Sequence, residues 1–362
     1  MSYPTGYLNP VALTAGSTGT IVTNNTSAIQ TAINNANGPV VLPAGLYKTY
    51  PLTMKSGTTF IGAGSWAEGG SSSEDSNVTH LNLVTDSTHT GPLISIGQNV
   101  QDICIRDMVL DGGLQSNNPY DVVNVADNTV ADQVNLRMER VTITQSGRYG
   151  LYVGTKRDDV KLHHCGIFSS YSHGLLTKGP DGVYDACEFG SNGSPADQTG
   201  ASGNNIEIQA VVNRVTNCDI WGGPGGTTTG TNIGIVVQPG ITGVIISGNG
   251  IDRHNHQGIY VDAGCYSVSI MNNVFHSNSQ AVDATYSHVY NDAGNAGGVM
   301  FDGNVATFDG SPVTFTSPYL LGTSGTSASG QSQVGSCNYA LVGTMAQNGG
   351  VRTAIFGYSV GN

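Results

Sequence analysis

Val244-Ile245-Ile246-Ser247-Gly248-Asn249-Gly250-Ile251 decides the reading of this chain, because its texture returns again and again. Apolar residues alternate, a small or amide residue follows, and another apolar residue closes the unit. Val160-Lys161-Leu162-His163-His164-Cys165-Gly166-Ile167 carries it upstream, and Val268-Ser269-Ile270-Met271-Asn272-Asn273-Val274-Phe275 carries it downstream. Alignment on the Cys/Asn position gives Glu139, Cys165, Cys187, Cys218, Asn249, Asn273 and Asn304, with spacings of 26, 22, 31, 31, 24 and 31 residues. A period in the twenties to low thirties with strand alternation predicts one solenoid coil per repeat.

A second column follows the first: Gly150, Gly174, Gly234, Gly258 and Ala281, each opening a short apolar strand such as Ile235-Val236-Val237. Glycine suits a place where neighbouring coils stack closely. The fold class expected is therefore all-β, a right-handed parallel β-helix with an N-terminal capping α-helix. That helix is predicted over Thr26–Ala36, with Thr26 or Ser27 as cap and Ile29, Ala32, Ile33 and Ala36 as its apolar stripe. The expected organisation is a lead-in over 1–24, the β-helix over 25–305, and a C-terminal cap or oligomerisation segment over 306–362. Within the columns, Cys165, Cys187 and Cys218 read as stacked free thiols, and Asn249, Asn273 and Asn304 as an internal amide ladder.

The composition excludes several function classes. Only 10% of the 362 residues are charged, and the net charge is −12 with 13 Lys and Arg. Nucleic-acid binding needs clustered cations, so no such partner is expected. No apolar run approaches the roughly 20 residues of a membrane span. The start, Met1-Ser2-Tyr3-Pro4, shows no basic region followed by an apolar one, so no signal peptide is visible. An extracellular or virion location then implies a removed signal or another route, such as assembly into a virion.

The segment Ser27–Gly64, SAIQTAINNANGPVVLPAGLYKTYPLTMKSGTTFIGAG, resembles the N-terminal signature of the pectate-lyase-like superfamily, and Ile105–Gly113 resembles its next coil. The likeness covers about residues 20–305 and implies the β-helix scaffold. It also implies a polysaccharide partner, and, in the phage tail spikes of that group, a homotrimer. The group's individual chemistries fit less well. Tyr149-Gly150-Leu151-Tyr152-Val153-Gly154 stands where alginate epimerases carry an acid and a histidine. Asp158-Asp159 and Ser172-His173-Gly174 only echo polygalacturonases, and Arg148 and Arg253 are the cations a pectate-lyase mechanism would have to use.

Strand alternation supplies a candidate site directly. One residue past the column, successive coils carry Glu188 and Asp219; three past it they carry Trp221, Asp252 and His276. Glu188 and Asp219 are expected ~5 Å apart at Cβ and Asp219 and Asp252 roughly 8 Å apart, distances that bracket the retaining and inverting glycosidase geometries. Glu188, Asp219 and Asp252 are the catalytic candidates, with Trp221 as a sugar platform. Asp252-Arg253-His254-Asn255-His256, followed by Tyr260, is a second polar constellation, and Glu207 is an outward acid on another face. His254, His256, Tyr260, Glu207 and His276 are the binding candidates.

Three functions follow. A hydrolytic depolymerase of bacterial surface glycan uses the carboxylates and no cofactor. A uronate lyase uses His254 or His256 as base, with calcium as charge screen. A non-catalytic spike grips glycan through Trp221 and the tyrosines, and for it the acids are ordinary surface residues.

Overall fold

The computed structural model describes residues 19–65, 77–86, 88–113, 119–193, 203–222, 232–278, 288–292 and 298–307, together with strand residues 321–324, 333–334, 339–340, 354–355 and 359–360. The chain forms a right-handed parallel β-helix in which each coil contributes three strands. One complete coil runs through Leu151–Val153 (first face), Arg157–His163 (second face) and Gly166–Phe168 (third face). The next repeats them as Leu175–Thr177, Val183–Asp185 and Glu188–Gly190, and Ile206–Ile208, Arg214–Thr216 and Asp219–Trp221 follow. All pairings are parallel, and among the described residues the first faces form a ten-stranded sheet.

Period-2 alternation fills the interior. Leu162, Tyr184, Val215, Ile246, Ile270 and Phe301 stack in register down the second face. Ile167, Phe189, Ile220, Ile251 and Phe275 do the same on the third, and every one of these side chains is buried.

Between second and third faces each coil turns on a single left-handed residue: Arg140, His164, Ala186, Asn217, Gly248, Asn272 and Gly303 in succession. The residue after it points inward and forms the column seen in the sequence. Asn273 shows how the ladder works: its Oδ1 accepts from the Asn249 backbone N–H and amide at 3.0 Å each, and its Nδ2 donates to Ile246 O at 3.1 Å and Asn304 Oδ1 at 3.0 Å. Each amide therefore satisfies backbone groups that the corner would otherwise strand in the core. The thiols of Cys165, Cys187 and Cys218 are buried, and Cys104, Cys165, Cys187, Cys218 and Cys265 are free; Cys337 lies outside the described residues.

Four expectations are corrected. The coil before Cys165 contributes Val141, not Glu139, since Gly166 pairs with Thr142 while Glu139 pairs with His163 on the second face. The register partner of Gly258 is His288 rather than Ala281, which lies outside the described residues, because Ile259 pairs with Val289. The helix spans Gly19–Asn35, so Thr26 is interior: its hydroxyl donates to Val22 O at 2.7 Å and accepts from Tyr50 N. The coils also run on past 305, with Val305 pairing Tyr339 and Tyr339 pairing Ser359.

The helix still closes the first coil. Ile29 and Ile33 are fully buried in the common core, each contributing about 1.5–3 kcal/mol. Gln30 exchanges two 2.9 Å hydrogen bonds with the backbone of Thr53, extending the strand edge, and Lys55 Nζ donates to Asn34 O near the helix C-terminus at 3.0 Å. Among the described residues no helix is long and apolar enough to cross a membrane.

Candidate active site

The register on the third face places Glu188 directly opposite Asp219, and Trp221 opposite Asp252, which in turn pairs with His276. Neighbouring Cβ atoms on paired strands lie ~5 Å apart. The coils on either side carry Gly166 and Gly250 at the acids' position, so neither contributes a side chain beside them. The two acids form one wall of a groove of about 700 Å³ that follows the second-to-third-face corner. Its other residues include Arg140, His164, Ala186 and Asn217, four of the left-handed corner residues, with Cys165 and Cys187 beneath.

Trp221 is less free than a simple platform. Its indole N–H donates to Glu188 Oε1 at 2.9 Å, and its ring lies across Gly190 towards Phe168, with ring centroids 6.3 Å apart. A Cβ at residue 190 would come within 2.2 Å of the indole carbons, so glycine there is what admits the ring. Asp252 is turned to Arg253, whose Nε donates to it at 2.6 Å. Asp219 is exposed, while Glu188, Trp221, Asp252 and His276 are half-buried. At the groove end Arg140 is half-exposed and paired with Asp107 at 2.6 Å and with Glu139. Arg140 and His164 escaped the sequence reading, because only the corner geometry brings them to the acids.

The remaining candidates are dispersed. His254 is not a surface base: Arg253 takes the left-handed conformation, which turns the next residue inward, and His254 is fully buried. Its Nδ1 donates to Asn278 Oδ1 at 2.8 Å and its Nε2 accepts from Asn205 Nδ2 at 2.9 Å. Burial pushes its pKa down to about 4. His256 is half-buried in the same turn, and its pKa is likewise lowered by burial. Glu207 faces outward on the first face but is enclosed, receiving Asn204 Nδ2 at 3.1 Å, Gln209 Nε2 at 2.6 Å and Gln238 Nε2 at 2.9 Å, with His173 Nε2 3.2 Å away. Tyr260 stacks on Tyr290 of the next coil with centroids 5.6 Å apart.

The first face holds a second cluster that no single motif announced. Asp121, almost wholly buried, takes a bidentate pair from Arg148 at 2.7 and 2.6 Å. The guanidinium lies 4.7 Å from the ring centroid of Tyr149, which stacks on Tyr152 and on His173 of the next coil. Burial raises the pKa of Tyr149 and lowers that of His173. The sequence touched it at three separate places, Arg148, the Tyr149–Gly154 segment and Ser172-His173-Gly174, without joining them. Among the described residues no three His, Cys, Asp or Glu side chains converge to hold a metal ion.

The family model for rhamnogalacturonase A/epimerase, pectate-lyase-like, matches residues 11–218, and that for the right-handed β-helix region matches 129–333. No curated protein sequence matches the chain. Among solved structures, the enzymatically active domain of tailspike protein 2 from bacteriophage CBA120 is similar at 13% identity and a TM-score of 0.65, over 86% of this chain and 45% of that one. The A-module of a mannuronan C-5 epimerase from Azotobacter vinelandii is similar at 16% identity and a TM-score of 0.61, covering 93% of this chain and 96% of that one. A DFA-IIIase from Arthrobacter chlorophenolicus A6, without its lid, gives 13% and 0.61 over 92% and 89%. The chain spans less than half the length of the tailspike chains it matches.

Proposed function

The chain belongs to the rhamnogalacturonase A/epimerase family of pectate-lyase-like proteins, and from that premise we propose that it is a polysaccharide depolymerase hydrolysing glycosidic bonds with Glu188 and Asp219. The observation that carries this reading is the in-register opposition of the two carboxylates along a groove of about 700 Å³. Acids whose Cβ atoms lie ~5 Å apart on paired strands can bring their carboxyl groups to the ~5 Å that a retaining mechanism uses, in which one acts as nucleophile and the other protonates the leaving oxygen. Asp252, a strand further on and bound to Arg253, supports the site electrostatically. The tailspike likeness supports action on a bacterial surface glycan, a virion or extracellular location, and assembly as a homotrimer. Sedimentation of the purified protein checks the last.

The test is incubation with a panel of bacterial capsular and plant polysaccharides, following reducing ends. Wild type is expected to release fragments, and Glu188→Gln and Asp219→Asn to release none. Full activity in both variants would remove the site. Glycan binding without fragments from wild type would replace the enzyme with a binding spike.

The first-face cluster favours a second reading, lysis of a uronate polymer. There Arg148 would meet the sugar carboxylate, and Tyr149 and His173 would handle the proton. Lysis leaves an unsaturated sugar with new ultraviolet absorbance and hydrolysis does not, so the same digest separates the two.

A further inference from the structure

We propose that Trp221 is the positioning residue that divides labour between the two acids, fixing Glu188 as the charged member and leaving Asp219 to carry the proton. The inference rests on the hydrolytic reading above and extends it to roles. An indole N–H can only donate. Held 2.9 Å from Glu188 Oε1, it favours the ionised carboxylate and cannot accept the O–H of a protonated one. The ring's place is built into the fold: Gly190 leaves room beneath it, and Phe168 flanks it from the coil below. The indole is therefore set before any ligand arrives. In the retaining step Glu188 then attacks the anomeric carbon as its glycosidic C–O bond breaks, and Asp219 gives its proton to the departing oxygen. Water later adds at the same carbon, returning a proton to Asp219 and releasing Glu188.

Among the described residues, the charged and titratable groups that line the groove with Glu188 are Asp219 from the next coil, Arg140, His164 and Asp107 across it, and the thiols of Cys165 and Cys187 below. Trp221→Phe changes none of them, so its effect on the pH profile reports the N–H alone.

The experiment measures kcat and KM against pH on the polymer that wild type cleaves. Trp221→Phe keeps the ring and loses the donor: kcat should fall roughly tenfold, KM should hold, and the acidic limb of kcat should move up by about half to one pH unit. Gly190→Ala, which evicts the ring, should reproduce both changes. Trp221→His, which retains a ring N–H, should recover part of the acidic limb. A thermal melt of each variant confirms that it is folded. An unmoved acidic limb in both Trp221→Phe and Gly190→Ala, whatever their rates, overturns the inference. Glu188→Gln run alongside separates the failures. If it is fully active, the site itself is wrong; if it is dead while the limb stays fixed, only the role of Trp221 is.

Discussion

Acidification should weaken this protein through its interior, and His254 allows the effect to be sized. A neutral ring with its proton on Nδ1 satisfies both neighbours, donating to Asn278 Oδ1 and accepting from Asn205 Nδ2. Protonating Nε2 would set two donors against each other in a fully buried place. Burial accordingly lowers the pKa from 6.5 to about 4. In the unfolded chain the same imidazole takes its proton near 6.5. Between those values the unfolded state binds the extra proton, so stability falls as pH drops from 6.5 towards 4 and levels off below. At ~1.4 kcal/mol per tenfold, the gap is worth about 3 kcal/mol. The assay is urea unfolding at a series of pH values for wild type and His254→Gln, whose amide offers a donor and an acceptor but does not titrate. The variant should be the less stable at pH 7, yet lose about 3 kcal/mol less than wild type between pH 6.5 and 4. Acid effects from groups remote from His254 are common to both proteins and cancel, and His288, which shares Asn278 with His254, has its pKa lowered by burial to about 3, below this window. Parallel pH curves for the two proteins would refute the reasoning.

Three further outcomes follow from the coils. Asn273→Ala strands the buried Asn249 N–H and takes the amide donor from Ile246 O, and should cost about 3–5 kcal/mol by urea midpoint. Arg157 is fully buried, pairing with Asp132 at 2.6 Å and with the carbonyl of Val100 at 2.8 Å. Arg157→Met should cost about 3–5 kcal/mol, and Asp132→Asn added to it should recover part. Cys165, Cys187 and Cys218 should react with a thiol reagent only after unfolding, as mass spectrometry would show; rapid native labelling would contradict their burial.

What could be read from the sequence tracks where chemistry is restricted. The Cys/Asn column was legible because the inward corner position carries a thiol or an amide in six successive coils, from Cys165 to Asn304. It held Glu188, Asp219, Trp221, Asp252 and His276 in true register because the corner before them never changes length. Val141 was missed because an apolar residue fills the column there, inside the continuous strand Asp132–Thr144, and leaves no signature. His254 was misread because its neighbours are polar, and one left-handed residue reverses the facing that alternation predicts. The Arg148–Tyr149–His173 grouping joins residues of different coils, and no local pattern carries such a contact.

The two-residue corner at 164–165, 186–187, 217–218, 248–249, 272–273 and 303–304 is constant, whereas the links from third to first face range from 253–258 to 191–205. Coil length thus varies most along that edge, while the links from first to second face range only from 154–156 to 238–244. Extra sequence enters the chain after the third-face strands that carry the acids and Trp221, not at the corner that sets the acids' register. Those links are where a lineage would diversify its target while keeping its chemistry, and where an engineer would graft new recognition loops.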